Sequence, residues 1–141
     1  MPIYSSSLLV KNGVLQCTLL GLTLFNIFIN DAPSIVHNYL AFYVDDPKLI
    51  GGIRNQLNAD VFQNNINELN NWANAWLLSF NTSKCLVLHF GENNLHIGYT
   101  LNDLSLEALH KNRDLSVLVD EKLTFDSHAA IAASSASFIR P

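Results

Sequence analysis

Two adjacent carboxylates, Asp45 and Asp46, are the residues of this sequence whose type and spacing could carry out chemistry. They stand between two short apolar segments that are predicted to be strands. Successive side chains of a straight strand face opposite ways, but this alternation breaks at a hairpin turn, so both carboxylates can reach one site. Carboxylate oxygens suit Mg²⁺, and two such ions about 4 Å apart can activate a hydroxyl group and stabilise the leaving oxygen in phosphoryl transfer. The dipeptide alone leaves an alternative open, because Asp-Asp-Pro is also ordinary turn chemistry.

The elements around this pair are predicted from short-range patterns. Residues 38–44 are apolar, aromatic and short, and residues 48–53 suit a second strand, so together they predict a hairpin. Apolar residues recur at spacings of three to five from Leu57 to Trp76, with asparagines between them, which predicts an amphipathic helix. Trp72 and Trp76 lie one helical turn apart and are predicted to belong to the core.

Strands and helices are mixed elsewhere in the chain without a regular β-α-β alternation. This favours an α+β fold, an antiparallel sheet with helices packed on one face. Asn12-Gly13 is a turn signal, and a final helix is predicted to be capped by Asp126 or Ser127. Further strands are predicted at residues 5–11, 85–90, 95–101 and 114–119.

The most apolar segment runs from Val14 to Ile29. Thr18 suits the N-cap of a helix that continues to about Ile29. A membrane-spanning helix needs about 20 apolar residues, and this run is shorter and contains polar side chains. We therefore predict a buried helix, because its side chains are apolar on nearly every face.

The composition excludes several classes of protein. With 49% hydrophobic and 14% charged residues, the 141-residue chain is not disordered and can bury the core of one domain. The net charge of −4 lacks the basic surplus of a free-standing nucleic-acid binder. The two cysteines, Cys17 and Cys85, are too few to build a disulfide framework, and they do not form a C-x-x-C pair. This predicts a reduced, intracellular protein. The histidines lack metal-ligand spacing and are predicted to be unrelated surface or edge residues. They are His37, His89, His96, His110 and His128.

Four segments in a fixed order carry a family resemblance. From Gly13 the chain contains GVLQCTLLGLTLFNIFIND, then LAFYVDDPKLI, then WANAWLLSFNTSKCLVLHF and DLSVLVDEKLTFDSH. In content and order they resemble the palm of reverse transcriptases, the RNA-directed DNA polymerases of non-LTR retrotransposons. The resemblance runs from Gly13 to His128. It implies a partial palm in residues 1–125, and the start of a thumb or a C-terminal helix in residues 126–141.

The resemblance also implies roles for individual residues. Asp45 and Asp46 would be catalytic ligands for Mg²⁺ or Mn²⁺, and Lys84 would lie near the incoming triphosphate. Gln16 would line the nucleotide and template side, and Tyr43 would lie beside the primer end. The strand that grips the primer backbone would contain Leu115, Ser116 and Val117. The implied partners are an RNA template and a DNA primer, with no membrane, and the oligomeric state is left open.

The sequence departs from the family pattern at four places. They are Leu15-Gln16-Cys17 for P-Q-G, Gly21-Leu22 for G-P, Pro47 for Thr or Ser, and Leu115-Ser116 for L-G. Pro47 removes an amide donor and predicts a weaker hairpin. The family's first catalytic aspartate and its fingers have no counterpart in this chain. We therefore expect a polymerase fragment that is inactive alone. The alternative is a non-catalytic remnant, or a co-opted binding domain, of a decayed mobile element.

Overall fold

The described part of the chain, residues 18–137 of a computed structural model, mixes helices with short strands. This confirms the predicted α+β class, whereas the predicted strand at residues 5–11 and the turn at Asn12-Gly13 lie outside the described residues. The elements in chain order are α1 (Leu19–Phe28), a short 3-10 helix (Ala32–Ser34), β1 (Tyr39–Tyr43), β2 (Asp46–Ile50), α2 (Gln56–Ala75), β3 (Leu86–Leu88), β4 (Thr100–Leu101), β5 (Leu104–Ser105), β6 (Glu107–Leu109), β7 (Lys111–Asp114), β8 (Val117–Asp120) and α3 (Asp126–Ser137).

Strands β1 and β2 form the predicted hairpin. They pair antiparallel with Tyr43 opposite Asp46, which leaves Val44 and Asp45 as the loop. Because side chains alternate along a strand, one face of the hairpin packs into the core and the other carries Tyr43 and Asp46. The core-facing residues are Leu40, Phe42 and Leu49.

Helix α1 begins as predicted, because the Thr18 side chain accepts a hydrogen bond of 2.9 Å from the Gly21 amide. The prediction that this helix is buried is wrong for the described residues. Its C-terminal end contacts the core through Phe25 and Phe28. Five of its large apolar side chains lie between 46% and 90% exposed, since no described element covers them. They are Leu19, Leu20, Leu22, Leu24 and Ile27.

Helix α2 packs its C-terminal half against α1, the 3-10 helix and the hairpin. The prediction for Trp72 is confirmed: it is 8% exposed and its indole N–H donates to Asp31 over 3.2 Å. Burial of a large apolar side chain contributes roughly 1.5–3 kcal/mol. Trp76 is 45% exposed and packs edge-on against Phe28, with the two ring centroids 5.0 Å apart, so it lies at the rim of the core. The buried residues of this core are Ile29, Ala32, Val36, Leu40, Leu69, Trp72 and Ala73.

The polar side chains of α2 anchor its neighbours. Asn65 is fully buried and accepts a hydrogen bond of 3.1 Å from the His37 amide, which fixes the segment before β1. Gln63 bonds both the amide and the carbonyl of Thr100, each over 2.9 Å, which holds β4 against the helix. The side-chain amide of Gln63 pairs with the backbone of β4 as a neighbouring strand would, because it offers both a donor and an acceptor.

The single antiparallel sheet that the sequence predicted is not observed. The described strands form four separate two-stranded sheets, and one of them, β3 with β6, is parallel. The β4–β5 hairpin lies between β3 and β6 in the chain, and after it β6 runs beside β3 in the same direction. The other three sheets are hairpins whose short strands turn back at once and pair only with each other.

The predicted strand at residues 114–119 is also wrong. The chain turns back at Leu115 and Ser116, and β7 and β8 pair antiparallel with Asp114 opposite Val117. The predicted final helix is confirmed as α3, and the His128 ring accepts a 3.3 Å hydrogen bond from the Leu118 amide. Between residues 18 and 137, no helix has both the length and the apolar character required to cross a membrane.

Candidate functional site

The tip of the β1–β2 hairpin presents the two carboxylates. Asp45 is the second residue of the two-residue loop and Asp46 is the first residue of β2, and both side chains are exposed. Val44, the first loop residue, has a φ of 57°. A β-branched residue rarely adopts this left-handed backbone, so the loop stores strain, of the order of 1–3 kcal/mol for such a residue. The strain lies directly beside the residues predicted to bind metal.

The register places Tyr43 and Asp46 side by side. They lie opposite one another across the hairpin, so their side chains share the exposed face. Lys48 follows Asp46 by two residues and therefore lies on the same face. The structure thus places Tyr43, Asp45 and Asp46 at the tip of the predicted hairpin.

Pro47 occupies a position that tolerates a missing amide donor. The residues flanking a two-residue loop form a hydrogen-bonded pair, so the next pair, Phe42 with Pro47, is not hydrogen-bonded. The N–H that proline lacks would therefore point away from β1. The hairpin keeps its register through this residue, and proline on an outer edge also discourages pairing with further strands.

A second hairpin is joined to the first by an ion pair. The Lys48 ammonium contacts both carboxylate oxygens of Asp114 over 2.6 Å. Asp114 ends β7, and the next two residues, Leu115 and Ser116, form the loop with φ values of 46° and 70°. Of the three residues predicted for the primer grip, Val117 therefore begins β8, whereas Leu115 and Ser116 lie in a turn rather than in a strand.

The left-handed loop shows that one departure from the family pattern has a steric cost. A two-residue loop with positive φ at both positions is a type I′ turn, in which glycine is favoured at the second position. Ser116 stands where the family pattern has glycine, and its φ of 70° is one that glycine adopts without a steric penalty.

Lys84 is not joined to the hairpin tip by any contact among residues 18–137. Lys84 is exposed in the turn before β3, where its amide donates to the Asn81 carbonyl over 2.9 Å. The ion pairs among the described residues are Lys48–Asp114 and His110–Glu121, so the Lys84 ammonium pairs with neither Asp45 nor Asp46. Gln16 lies outside the described residues.

Three histidines line one cavity, so the prediction that they are unrelated is wrong. His89, His96 and His110 border a cavity of about 80 Å³ together with Glu121. The pKa of His89 is lowered, first by burial and then by the charge of His96, whose ring centroid is 5.0 Å away. His110 bonds Glu121 over 2.9 Å and lowers the pKa of that carboxyl group. Their sequence separations match no motif, so no sequence signal could have grouped them.

No group of three or more His, Cys, Asp or Glu side chains is arranged to hold a metal ion within the described range. Asp45 and Asp46 supply two carboxylates at the hairpin tip. Neither forms an ion pair with another described residue, so their oxygens are available to a cation. Carboxylate oxygens are the ligands that Mg²⁺ prefers, and the donor chemistry of the tip therefore fits this ion.

Two curated relatives are similar to this chain. The RNA-directed DNA polymerase from mobile element jockey of Drosophila funebris is 30% identical over 134 residues, which cover 88% of this chain and 15% of the relative. The protein of the same name from Drosophila melanogaster is 28% identical over 138 residues, which cover 89% of this chain and 15% of the relative. No protein-family model matches the chain, and no solved structure matches it. The predicted resemblance to reverse transcriptases is confirmed, for a chain that spans about 15% of the length of these relatives.

Proposed function

We propose that this chain, which is similar to the RNA-directed DNA polymerases of mobile elements, forms part of the palm of such a polymerase. The observation that carries the proposal is the β1–β2 tip. Its register exposes Asp45 and Asp46 at a strained two-residue loop, with Tyr43 beside them. In the proposed reaction a primer 3′-hydroxyl attacks a nucleoside triphosphate, and pyrophosphate leaves. The partners are an RNA template and a DNA primer, inside the cell.

The roles proposed for the residues follow from their positions. Asp45 and Asp46 hold the divalent cation, which when bound stabilises negative charge on the attacking and leaving oxygens. Tyr43 lies beside the primer end, because it shares a face with Asp46. The Leu115–Ser116 turn and Val117 contact the primer backbone. Gln16 and Lys84 act on the nucleotide side, where a lysine neutralises phosphate charge.

The exposed apolar face of α1 supports a place within a larger protein. Monomeric proteins rarely expose large contiguous apolar patches, and such patches mark interaction surfaces. Leu19 is 90% exposed and Leu20 is 67% exposed. The chain matches 15% of each relative's length, so we propose that further parts of a polymerase pack against this face.

A second candidate is favoured by one observation. The hairpin tip carries two carboxylates, and within the described range no third ligand joins them. A two-metal site needs more ligands than these, so the 141-residue chain is expected to be inactive alone. The alternative is a non-catalytic remnant, or a co-opted binding domain, of a decayed mobile element. It predicts cation binding no tighter than millimolar.

A calorimetric titration with Mn²⁺ tests the proposal. We expect binding in the micromolar range, and a loss of at least tenfold in affinity in Asp45→Asn and in Asp46→Asn. Asp103→Asn is the matched control, because Asp103 is an exposed carboxylate in the two-residue loop of the β4–β5 hairpin. Millimolar binding by the unmodified chain would favour the remnant. Equal losses in all three variants would refute the assignment of the site to Asp45 and Asp46.

A further inference from the structure

Lys48 places a positive charge beside the proposed metal ligands. It follows Asp46 by two residues on the same face of β2, and residues two apart along a strand are about 6.6 Å apart. A lysine side chain has a flexible four-carbon stem and can span such a distance. An ammonium group that bonded the Asp46 carboxylate would compete with a divalent cation for the same oxygens.

The structure shows this ammonium group turned toward another carboxylate. Lys48 Nζ lies 2.6 Å from each oxygen of Asp114, a residue 66 positions further along the chain. The Lys48 and Asp114 side chains are 36% and 43% exposed. Ion pairs this exposed add little to stability, so the conformation that the pair imposes on Lys48 is its more informative property.

We propose that Asp114 is a positioning residue for the metal site. It holds the Lys48 ammonium away from Asp46, and the Asp46 carboxylate is thereby available to Mg²⁺. This inference rests on the proposed function, because it requires Asp45 and Asp46 to bind a cation. The Lys48–Asp114 ion pair thereby gains a role that neither the motifs nor the relatives indicate.

The proposal differs from a simple sum of charges. If Lys48 and Asp114 each acted only through their own field, replacing Lys48 would raise cation affinity by the same factor whether or not Asp114 is present. If Asp114 restrains Lys48, the two substitutions are coupled. Replacing Lys48 then matters little in the original chain and strongly once Asp114 is neutral, which a double-mutant cycle detects.

The experiment is a Mn²⁺ titration of the 141-residue chain and three variants, Lys48→Met, Asp114→Asn and the double variant. We expect Asp114→Asn to weaken binding about two- to fivefold, because one exposed charge pair supports effects of about this size. Lys48→Met should change binding less than twofold, and the double variant should return to within about twofold of the original chain. Lys122→Met, at an exposed position, is the control for a general loss of positive charge. Far-ultraviolet circular dichroism checks that each variant folds.

Each outcome decides between the two proposals. An equal effect of Lys48→Met in both backgrounds would overturn the positioning role while leaving the metal site intact. Equal weakening by Lys48→Met and Asp114→Asn would also overturn it, because a simple structural tie between the hairpins predicts that result. Failure of the original chain to bind Mn²⁺ would refute the proposed function, and the positioning role with it.

Discussion

Replacing Ser116 with glycine is expected to stabilise the protein. Ser116 has a φ of 70° in the loop between β7 and β8. An L-residue in the left-handed region costs roughly 1–2 kcal/mol, because its Cβ crowds the backbone. Removing the Cβ relieves this cost, whereas the greater freedom of glycine in the unfolded chain takes back about 0.5–1 kcal/mol. The expected net gain in the free energy of unfolding is about 0.5–1 kcal/mol.

Urea unfolding measures this gain. The midpoint of Ser116→Gly should rise while the denaturant slope stays constant, since the surface exposed on unfolding is unchanged. In a thermal scan the midpoint should rise by about 2–4 °C for a chain of this size. Ser116→Ala is the first control, because it removes the hydroxyl group but keeps the Cβ, and it should give no gain. Ser105→Gly is the second, since Ser105 lies in β5 without a positive φ, and it should lose about 0.5–1 kcal/mol.

Two results would refute the reasoning. If Ser116→Gly lowered stability as much as Ser105→Gly, the loop would not require a left-handed residue. If Ser116→Ala gained as much as Ser116→Gly, the hydroxyl group rather than the Cβ would be the source of the cost. The expected result would explain why the family pattern has glycine at this position.

Two further predictions concern packing and pH. A Cβ on Gly51 would lie 2.6 Å from the Phe62 ring and from the Asn38 side chain, whereas one on Gly52 would meet nothing within 4 Å. Gly51→Ala should therefore lower the free energy of unfolding by about 1–3 kcal/mol, and Gly52→Ala should leave it within about 1 kcal/mol, as the urea midpoints of the two variants will show. Burial and the charge of His96 lower the pKa of His89 in the folded state. As the pH falls below the ordinary histidine value of about 6.5, the unfolded chain therefore binds more protons than the folded chain does. The free energy of unfolding should fall as a result. Urea unfolding at pH values above and below that point should show a smaller fall in the free energy of unfolding for His89→Gln than for the original chain. An identical fall in the two proteins would contradict the assignment to His89.

Local patterns in the sequence determined the elements that carry the site. The apolar run at residues 38–44, the two aspartates and the following strand predicted a hairpin with the carboxylates at its turn, and the structure has that hairpin. The spacing of apolar residues predicted α2, and Thr18 predicted the start of α1. These features depend on contacts within a few residues, so the sequence encodes them directly. The order of the motifs predicted the family resemblance, and the two relatives confirm it.

Other features left no recognisable pattern in the sequence. The segment 114–119 alternates in a manner typical of a strand and lacks an Asn-Gly signal, so its turn at Leu115 and Ser116 could not be recognised. The spacing of His89, His96 and His110 likewise gave no indication that folding brings them to one cavity.

The sequence by itself determined which segments have an apolar face, the hairpin that exposes Asp45 and Asp46, and the family that the chain resembles. Tertiary structure alone decided which partner covers each face. It left α1 largely exposed, although its composition predicted burial, and it paired Lys48 with Asp114 across 66 residues. The physical reason is that periodicity records how a segment divides its polar and apolar sides. Which neighbour meets those sides depends on how the whole chain packs, and no local pattern contains that information.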